Sequence, residues 1–337
     1  MSREIFFRVD GGLEDGLGHI KRCITLSKTI EKNPKFNKPI FIVNKNNEIS
    51  KRVLKNNNCF YLGVEGKVNT KKEILELIKI ISGKNQKILI IDSKRINKKY
   101  ITTLKKHSKI IIFEDEKKYN TNPDLIINNN IWAYKFYKNT SNKLLGLKFN
   151  TISNNFFKDK AFNVRSKKIL ISLGGEDPDN ISLKILSIVY KLVSNLKIIV
   201  ILGHSHPNKS SLFQFCKKKK LNIKIVDSPE DISKYLNNLR FVISAGGLSA
   251  YEFASAGVPQ LVTILEKHQT KMAKIIEKNN CGKIFTSAEK FLKKKISDKF
   301  INFYNNSSEL IKLNKKAKNL INKSGCESII YNITKLR

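Results

Sequence analysis

The sequence predicts an α/β protein with two parallel-sheet domains in succession, and three observations carry that expectation. Short runs such as Ile5-Phe6-Phe7, Ile88-Leu89-Ile90-Ile91 and Ile169-Leu170-Ile171 are apolar at every position, as strands buried on both faces are. Segments with apolar residues at helical spacing separate them. The alternation lapses once, from Thr151 to Lys167, and then begins again.

In the first half, residues 5–7 read as a strand, and Ile20, Ile24, Leu26 and Ile30 mark the apolar face of the helix that follows. A strand over 40–43 starts just behind Pro39, a helix runs from Ile49 to Leu54, and a short strand covers 59–62. Residues 74–81 have helical periodicity, 87–92 form the clearest strand of this half, 101–106 a further helix and 110–115 a further strand. Apolar runs closed by an acid and separated by helices point to a parallel sheet covered on both sides. A first Rossmann-like domain is therefore expected over 1–150, with a linker over 151–167.

The second domain is expected over 168–337. It opens with a strand at 168–173, a turn at 174–180 and a helix from Ile181 to Leu192, and further strands are expected at 196–202, 223–226, 241–244 and 261–264. Ser249 can cap a helix running to Ala256, which Gly257 and Pro259 then stop. From Phe291 onward the chain is helical in pattern and strongly basic. Two such domains create an interdomain cleft lined by their strand ends.

The chain has 337 residues, 64 Lys and Arg against 28 Asp and Glu, and a formal charge of +36. That charge favours phosphate-rich partners by long-range attraction. The lysines are nevertheless spread through every segment beside asparagine and isoleucine, and no zinc-finger, RRM or KH pattern accompanies them. A compositional drift accounts for this better than stable nucleic-acid binding. The five cysteines have no CxxC spacing, and His204-Ser205-His206 has no third ligand nearby, so neither a disulfide scaffold nor a metal site is expected. No run is long and apolar enough to span a bilayer. Asp10, Glu14 and Asp15 interrupt any leader-like order, which makes a cytoplasmic protein the expectation.

Candidate chemistry gathers at the strand ends. The run Asp10-Gly11-Gly12-Leu13-Glu14-Asp15-Gly16-Leu17-Gly18-His19 places the first histidine of the chain behind a glycine turn, where free amides and the positive end of a helix converge. Gly16 and Gly18 belong to that turn, and His19 is the candidate base; the plain alternative is a histidine that caps or packs. Asp92 and Asp115 close their strands and either orient a base, hold a donor-rich substrate or cap the next helix. Gly174-Gly175 and Gly246-Gly247 each follow an apolar run and let backbone approach an anion closely, although tight turns alone also use such pairs. The amides near Ser249 suit a diphosphate, and Glu252 suits two adjacent hydroxyls of a ribose, or merely complements the first turn of its helix. Gln269, in the loop after the next strand, is within reach of phosphate or sugar, and His268 beside it is a rival base without a constraining turn.

Taken in order, Asp10-Gly11-Gly12, Gly16-Leu17-Gly18-His19-Ile20-Lys21-Arg22-Cys23, Ile90-Ile91-Asp92, the stretch from Ser172 to Asn180, and Ser244 to Pro259 with Gln269 resemble the UDP-sugar hydrolases of the pseudaminic-acid pathway. They also resemble relatives of those enzymes among the spore-coat polysaccharide proteins, in the MurG-like branch of the GT-B fold. The resemblance spans about residues 3–285. It implies a GT-B architecture and no cofactor. It implies a UDP-sugar substrate, with His19 as the base that activates water and Gly246, Gly247, Ser249, Glu252 and Gln269 on the nucleotide. The reaction implied is hydrolysis of UDP-2,4-diacetamido-2,4,6-trideoxy-β-L-altrose at C1. The Arg-x-Glu-Phe-like element of the hydrolases is missing after Leu145-Gly146, and His268 stands where an asparagine is usual. A glycosyltransferase moving the sugar to a hydroxyl acceptor is accordingly the alternative, and a basic nucleic-acid-binding protein the third class.

Overall fold

A computed structural model describes residues 2–12, 16–83, 87–115, 122–137, 142–159, 161–175, 177, 179–203, 206–219 and 223–336. The chain divides into two units, Met1–Ile152 with Ser324–Arg337, and Ser153–Lys323. Each unit has its own parallel sheet and its own core.

The first unit runs through β1 (Glu4–Val9), α1 (Gly18–Ile30), β2 (Ile40–Asn44), α2 (Glu48–Asn56), β3 (Phe60–Val64), α3 (Lys71–Ile81), β4 (Lys87–Asp92), α4 (Lys98–Leu104), β5 (Lys109–Phe113), β6 (Leu125–Asn128) and β7 (Lys143–Leu145). The strand order is β3-β2-β1-β4-β5-β6-β7, every neighbouring pair parallel. Alternate residues of the central strands enter two cores. Ile5, Phe7, Ile88, Ile90, Ile111 and Phe113 pack on the α1 side, while Phe6, Leu89, Ile91, Ile110 and Ile112 pack on the other. That two-sided burial explains the unbroken apolar runs. The helices α2, α3 and α4 start before their apolar periodicity does, because Asn47, Thr70 and Asn97 accept the amides of Ser50, Glu73 and Tyr100 as N-caps.

The second unit contains β8 (Lys168–Ser172), α5 (Ile181–Val189), β9 (Lys197–Leu202), α6 (Lys209–Lys219), β10 (Ile223–Asp227), β11 (Phe241–Ala245), α7 (Ser249–Ser255), β12 (Gln260–Ile264), α8 (Thr270–Lys278), β13 (Gly282–Ser287), α9 (Lys293–Asn305) and α10 (Ser307–Leu320). Its strand order is β10-β9-β8-β11-β12-β13, again parallel throughout. Strands β6, β7 and β13 are not anticipated by the sequence pattern. The first two are four and three residues long, too short to show a period, and β13 is interrupted by Lys283 and Thr286.

Two expected boundaries differ in the structure. The stretch expected as a linker over 151–167 divides at Ile152, and beyond it a one-turn 3-10 helix, Asn154–Phe156, buries Phe156 in the second unit. The second domain, expected to reach residue 337, instead gives up its last segment, since Ser324–Arg337 counts with the first unit. The helix α11 (Gly325–Thr334) lies there, with Cys326, Ile329, Ile330 and Ile333 in the core beside α1. Burying those side chains outweighs solvating the basic residues around them, at about 1.5–3 kcal/mol for each large aliphatic. Gly325 is required at its start, because a Cβ there would lie 2.3 Å from the carbonyl oxygen of Asn150. Among the described residues no helix is long and apolar enough to cross a membrane.

Candidate active site

In each sheet the strand order reverses between the first strand and the fourth, β1 beside β4 in one unit and β8 beside β11 in the other. Open α/β sheets bind ligands outside the carboxyl ends of the strands at such switch points. The sequence candidates fall at both.

In the first unit, Val9 pairs with Asp92 at the ends of β1 and β4. Beyond Val9 the chain turns through a narrow glycine bridge. Gly16 N donates to the Gly12 carbonyl at 2.8 Å and Gly12 N to the Gly16 carbonyl at 3.1 Å. Gly12 and Gly16 have φ of +146° and +70°, which L side chains rarely adopt. Leu13, Glu14 and Asp15, part of the expected turn, lie outside the described residues. Gly11 packs under the following helix, where a Cβ would meet Ile20 Cγ2 at 2.9 Å. Helix α1 then begins at Gly18, and its first intrahelical bond is from Lys21 N to Leu17 O, so the amides of Gly18, His19 and Ile20 precede the bonded turn.

His19 is the second residue of α1, and its side chain is 12% exposed. Its Nδ1 lies 2.7 Å from Asp92 Oδ1. A carboxylate can only accept, so Nδ1 carries a proton, and in the neutral ring Nε2 is the nitrogen left with a lone pair. Arg22, one turn further along the same helix face, closes a fork on Asp92 with Nε donating to Oδ2 and Nη2 to Oδ1, both at 2.5 Å. Its Nη1 donates to Asp115 Oδ1 at 2.7 Å, its Nη2 lies 3.2 Å from His19 Nδ1, and the guanidinium carbon sits 4.7 Å from the centroid of the Phe113 ring. The Cys23 thiol completes the shell of Asp92 at 3.7 Å.

Burial by itself pushes the Asp92 pKa up, but the charge of Arg22 and the hydrogen bonds from Arg22 and His19 prevail and hold the carboxyl well below the usual carboxylate range. Burial also opposes the charge on Arg22, and Asp115 and Asp92 more than offset it, so the guanidinium is held ionised more firmly than usual. Burial and the adjacent Asp92 push the Cys23 thiol far up, which keeps it a donor.

Both sequence-level carboxylates are thus in the cluster, in different positions. Asp92 touches His19, whereas Asp115, at 33% side-chain exposure, holds Arg22. The open question of which acid orients the histidine is answered geometrically in favour of Asp92, because Asp115 belongs to the neighbouring strand end and reaches only the far arm of the guanidinium. Arg22 was not singled out by sequence reasoning. The available signal was its place three residues after His19, which puts both side chains on one helix face.

In the second unit, Ser172 pairs with Ser244 across β8 and β11, and each glycine pair begins two residues further on. Gly174, with φ of +97°, Gly175 and Gly247 have no heavy atom within 4 Å of where a Cβ would stand. Gly246 is different: a Cβ there would lie 2.6 Å from the backbone oxygen of Gln269, so these two candidates do meet. Gly203, missed by sequence reasoning, is also obligatory, since a Cβ would fall 2.2 Å from Gly175 Cα.

Two sequence readings change here, and one organising residue is new. Ser249 does not cap α7; it is the first helical residue behind Leu248, and no side-chain cap bond forms, because the chain reaches helical geometry before the serine. Gln269 turns its side-chain oxygen to the Leu265 amide at 2.9 Å, which folds its own loop. The turn after β8 is organised by Asp177, whose two oxygens accept Ile181 N at 2.8 Å and Ser182 N at 2.7 Å, with His206 Nε2 at 3.5 Å. Burial acts to raise the Asp177 pKa, and His206 with these donors brings it below normal. Glu176 and Pro178 of this turn, and His204 and Ser205 of the histidine pair, lie outside the described residues. Glu252 stands half-buried in the first turn of α7, and His268 is an exposed partner of Glu266 at 3.0 Å. No group of three or more His, Cys, Asp or Glu among the described residues has the arrangement of a metal site.

Two doubly wound parallel sheets, each with its candidates at the switch point, define a Rossmann-like GT-B α/β protein. Residues 168–330 match the glycosyltransferase family 28 C-terminal domain. The chain is 26% identical over 269 residues to an uncharacterised protein of Methanocaldococcus jannaschii, aligning 75% of this chain with 54% of that one. It is 22% identical over 283 residues to the spore coat polysaccharide biosynthesis protein SpsG of Bacillus subtilis, covering 79% and 78% of the two chains. It is 27% identical over 257 residues to the UDP-2,4-diacetamido-2,4,6-trideoxy-β-L-altropyranose hydrolase of Campylobacter jejuni, covering 73% and 86%. The aligned part thus spans about half the length of the archaeal relative. Among solved structures, Acinetobacter baumannii MurG superposes with a TM-score of 0.68 at 13% identity over 99% of this chain and 100% of that one. Anabaena HepE, solved with UDP-glucose, does so with a TM-score of 0.64 at 9% identity over the same shares. These relatives bear out the resemblance to the spore-coat polysaccharide and UDP-sugar hydrolase proteins within the MurG-like GT-B superfamily.

Proposed function

We propose that this chain is an enzyme acting on a nucleotide sugar, and specifically a hydrolase of UDP-2,4-diacetamido-2,4,6-trideoxy-β-L-altrose or a closely related UDP-sugar. The observation that carries the reading is the 2.7 Å contact from His19 Nδ1 to Asp92, which turns Nε2 into the proton-accepting nitrogen. Water gives a proton to Nε2 as its oxygen attacks the anomeric carbon. The bond from that carbon to the diphosphate oxygen breaks with its electron pair, and UDP leaves. Attack opposite the leaving group inverts C1. Asp92 stabilises the imidazolium that forms.

On this reading the amides behind Gly16 and Gly18 stand near the developing charge, and Gly174, Gly175, Gly246 and Gly247 supply close backbone approach for UDP. Ser249 and Glu252 serve the diphosphate and the ribose, and Gln269 shapes the loop over Gly246. The named hydrolase among the relatives supports this choice. The match to a glycosyltransferase domain supports the second reading, in which the same base activates a sugar hydroxyl instead of water.

Incubation with UDP-sugars and no acceptor separates the two. Prompt UDP release is expected, and release only on adding a sugar or lipid acceptor would establish the transferase. Tight, salt-sensitive RNA binding without affinity for UDP would overturn both.

A further inference from the structure

The cluster contains a group with no role in the scheme above. Arg22 is 6% exposed, stacked on Phe113 and committed through Nε, Nη1 and Nη2 to two carboxylates, so it is not available to grip a substrate. A buried guanidinium placed there merely for stability is weakly motivated, since an apolar pair of similar volume commonly does as well. Its geometry is specific in another way. The fork occupies both oxygens of Asp92, and only one of them, Oδ1, also faces His19.

We propose that Arg22 is a positioning residue for His19, acting through Asp92. The inference rests on His19 being the base. By fixing the carboxylate plane from behind, Arg22 leaves Oδ1 in the one orientation that accepts the Nδ1 proton, and so fixes the tautomer that exposes Nε2. It also supplies a positive charge 3.2 Å from Nδ1. Asp115 pins the far arm of Arg22, so the fork is held from both ends. Among the described residues, the charged and titratable groups of this cluster with His19 are Asp92 from β4, Arg22 from α1 and Asp115 behind β5, with the Cys23 thiol touching Asp92.

The test compares wild type with Arg22→Gln, Arg22→Lys, Asp92→Asn and the double variant Arg22→Gln/Asp92→Asn. UDP release is followed by initial rates, and ¹⁵N spectra of histidine-labelled protein report the tautomer of His19. In Arg22→Gln, kcat is expected to fall at least tenfold with KM within about twofold. Arg22→Lys restores the charge without the fork, and should recover only part of the kcat. If Arg22 acts through Asp92, the double variant is no slower than Asp92→Asn alone. A further tenfold loss in the double variant, or a loss confined to KM, overturns the proposal.

The spectra judge the inference without substrate. Wild-type neutral His19 should carry its proton on Nδ1, and Arg22→Gln should show a mixture of tautomers. An unchanged Nδ1 proton in a folded Arg22→Gln protein also overturns it. Failure of wild type to release UDP from any UDP-sugar would refute the proposed reaction instead, while the spectra still decide the role of Arg22.

Discussion

Replacing Asp92 by Asn keeps the size of the side chain and removes one acceptor. In the native cluster, Asp92 oxygens receive His19 Nδ1 at 2.7 Å and two Arg22 nitrogens at 2.5 Å, at 1% side-chain exposure. An asparagine has one oxygen for these three donors. Its amide nitrogen must then face either Arg22 or His19, and a donor facing a donor at that distance is not sustainable. The cheaper relief is for His19 to change tautomer, so that Nδ1 accepts and Nε2 carries the proton. The base is thereby lost in most molecules. A drop in kcat of about 10²–10⁴ is expected, which corresponds to about 3–5 kcal/mol of transition-state stabilisation. Binding of UDP should change little, because Asp92 belongs to the first unit and the nucleotide-binding candidates Gly174, Gly175, Gly246, Gly247, Ser249 and Glu252 to the second. Stability falls as well, since the Arg22 charge keeps only Asp115. About 3 kcal/mol is expected, the low end for a broken buried pair. The assay is initial-rate UDP release together with calorimetric UDP affinity on protein shown to be folded. A variant retaining kcat within threefold, or one that loses UDP affinity instead of turnover, would refute the assignment of His19 and Asp92 as base and orienter.

Changing His19 to Ala should abolish measurable turnover and leave UDP affinity within a few-fold; surviving activity in a steady-state assay would move the base elsewhere. Glu252→Ala should weaken UDP binding by about 1–2 kcal/mol by isothermal titration, the worth of charge-assisted hydrogen bonds to hydroxyls, and an unchanged affinity removes Glu252 from the ribose. Ile329→Ala, at a fully buried position of α11, should lower the stability of the first unit by about 2–4 kcal/mol in urea unfolding. An unshifted midpoint would show that α11 does not belong to that core. Because the native pKa of Asp92 is depressed, its contribution to stability is complete above the unfolded carboxylate value, about pH 4, and disappears as pH falls through the lower native value. The stability gap between wild type and Asp92→Asn should therefore hold from neutral pH to about pH 4 and narrow only below it. A gap that closes already at pH 6 would point to a different group.

The central strands and the glycine turns are legible in the sequence for local reasons: parallel strands buried on both faces are apolar throughout, and backbone that turns with positive φ favours glycine. Ile88 to Ile91 and Gly12 with Gly16 are instances. What was not legible depended on partners distant in the chain. The short strand β7 exists only because β6 offers it an edge. The tail reads only as helical and basic, and the apolar surface of α1, some 300 residues earlier, turns Cys326, Ile329, Ile330 and Ile333 into core. The choice between Asp92 and Asp115 was closed to sequence for the same reason. Both follow apolar strands, and which acid meets His19 is set by the strand order, in which β4, not β5, lies beside β1.

That strand order also bears on why the chemistry sits where it does. At a switch point, the connections from two adjacent strands leave to opposite faces, so the space beyond the strand ends stays open. Beside β1 and β4 this space receives the first amides of α1 and a histidine whose orientation is fixed by the end residue of β4. Beside β8 and β11 it receives two glycine pairs, one of them open and the other half-closed by the loop of Gln269. The two units thus use one topology for two tasks: the first spends side chains on it and the second spends their absence. An ionised, desolvated Asp92 is tolerable only with a fixed cation behind it, so the histidine that does the proposed chemistry and the arginine that does none are parts of the same solution. Substituting either carboxylate or the arginine should therefore disturb His19 more than it disturbs nucleotide binding.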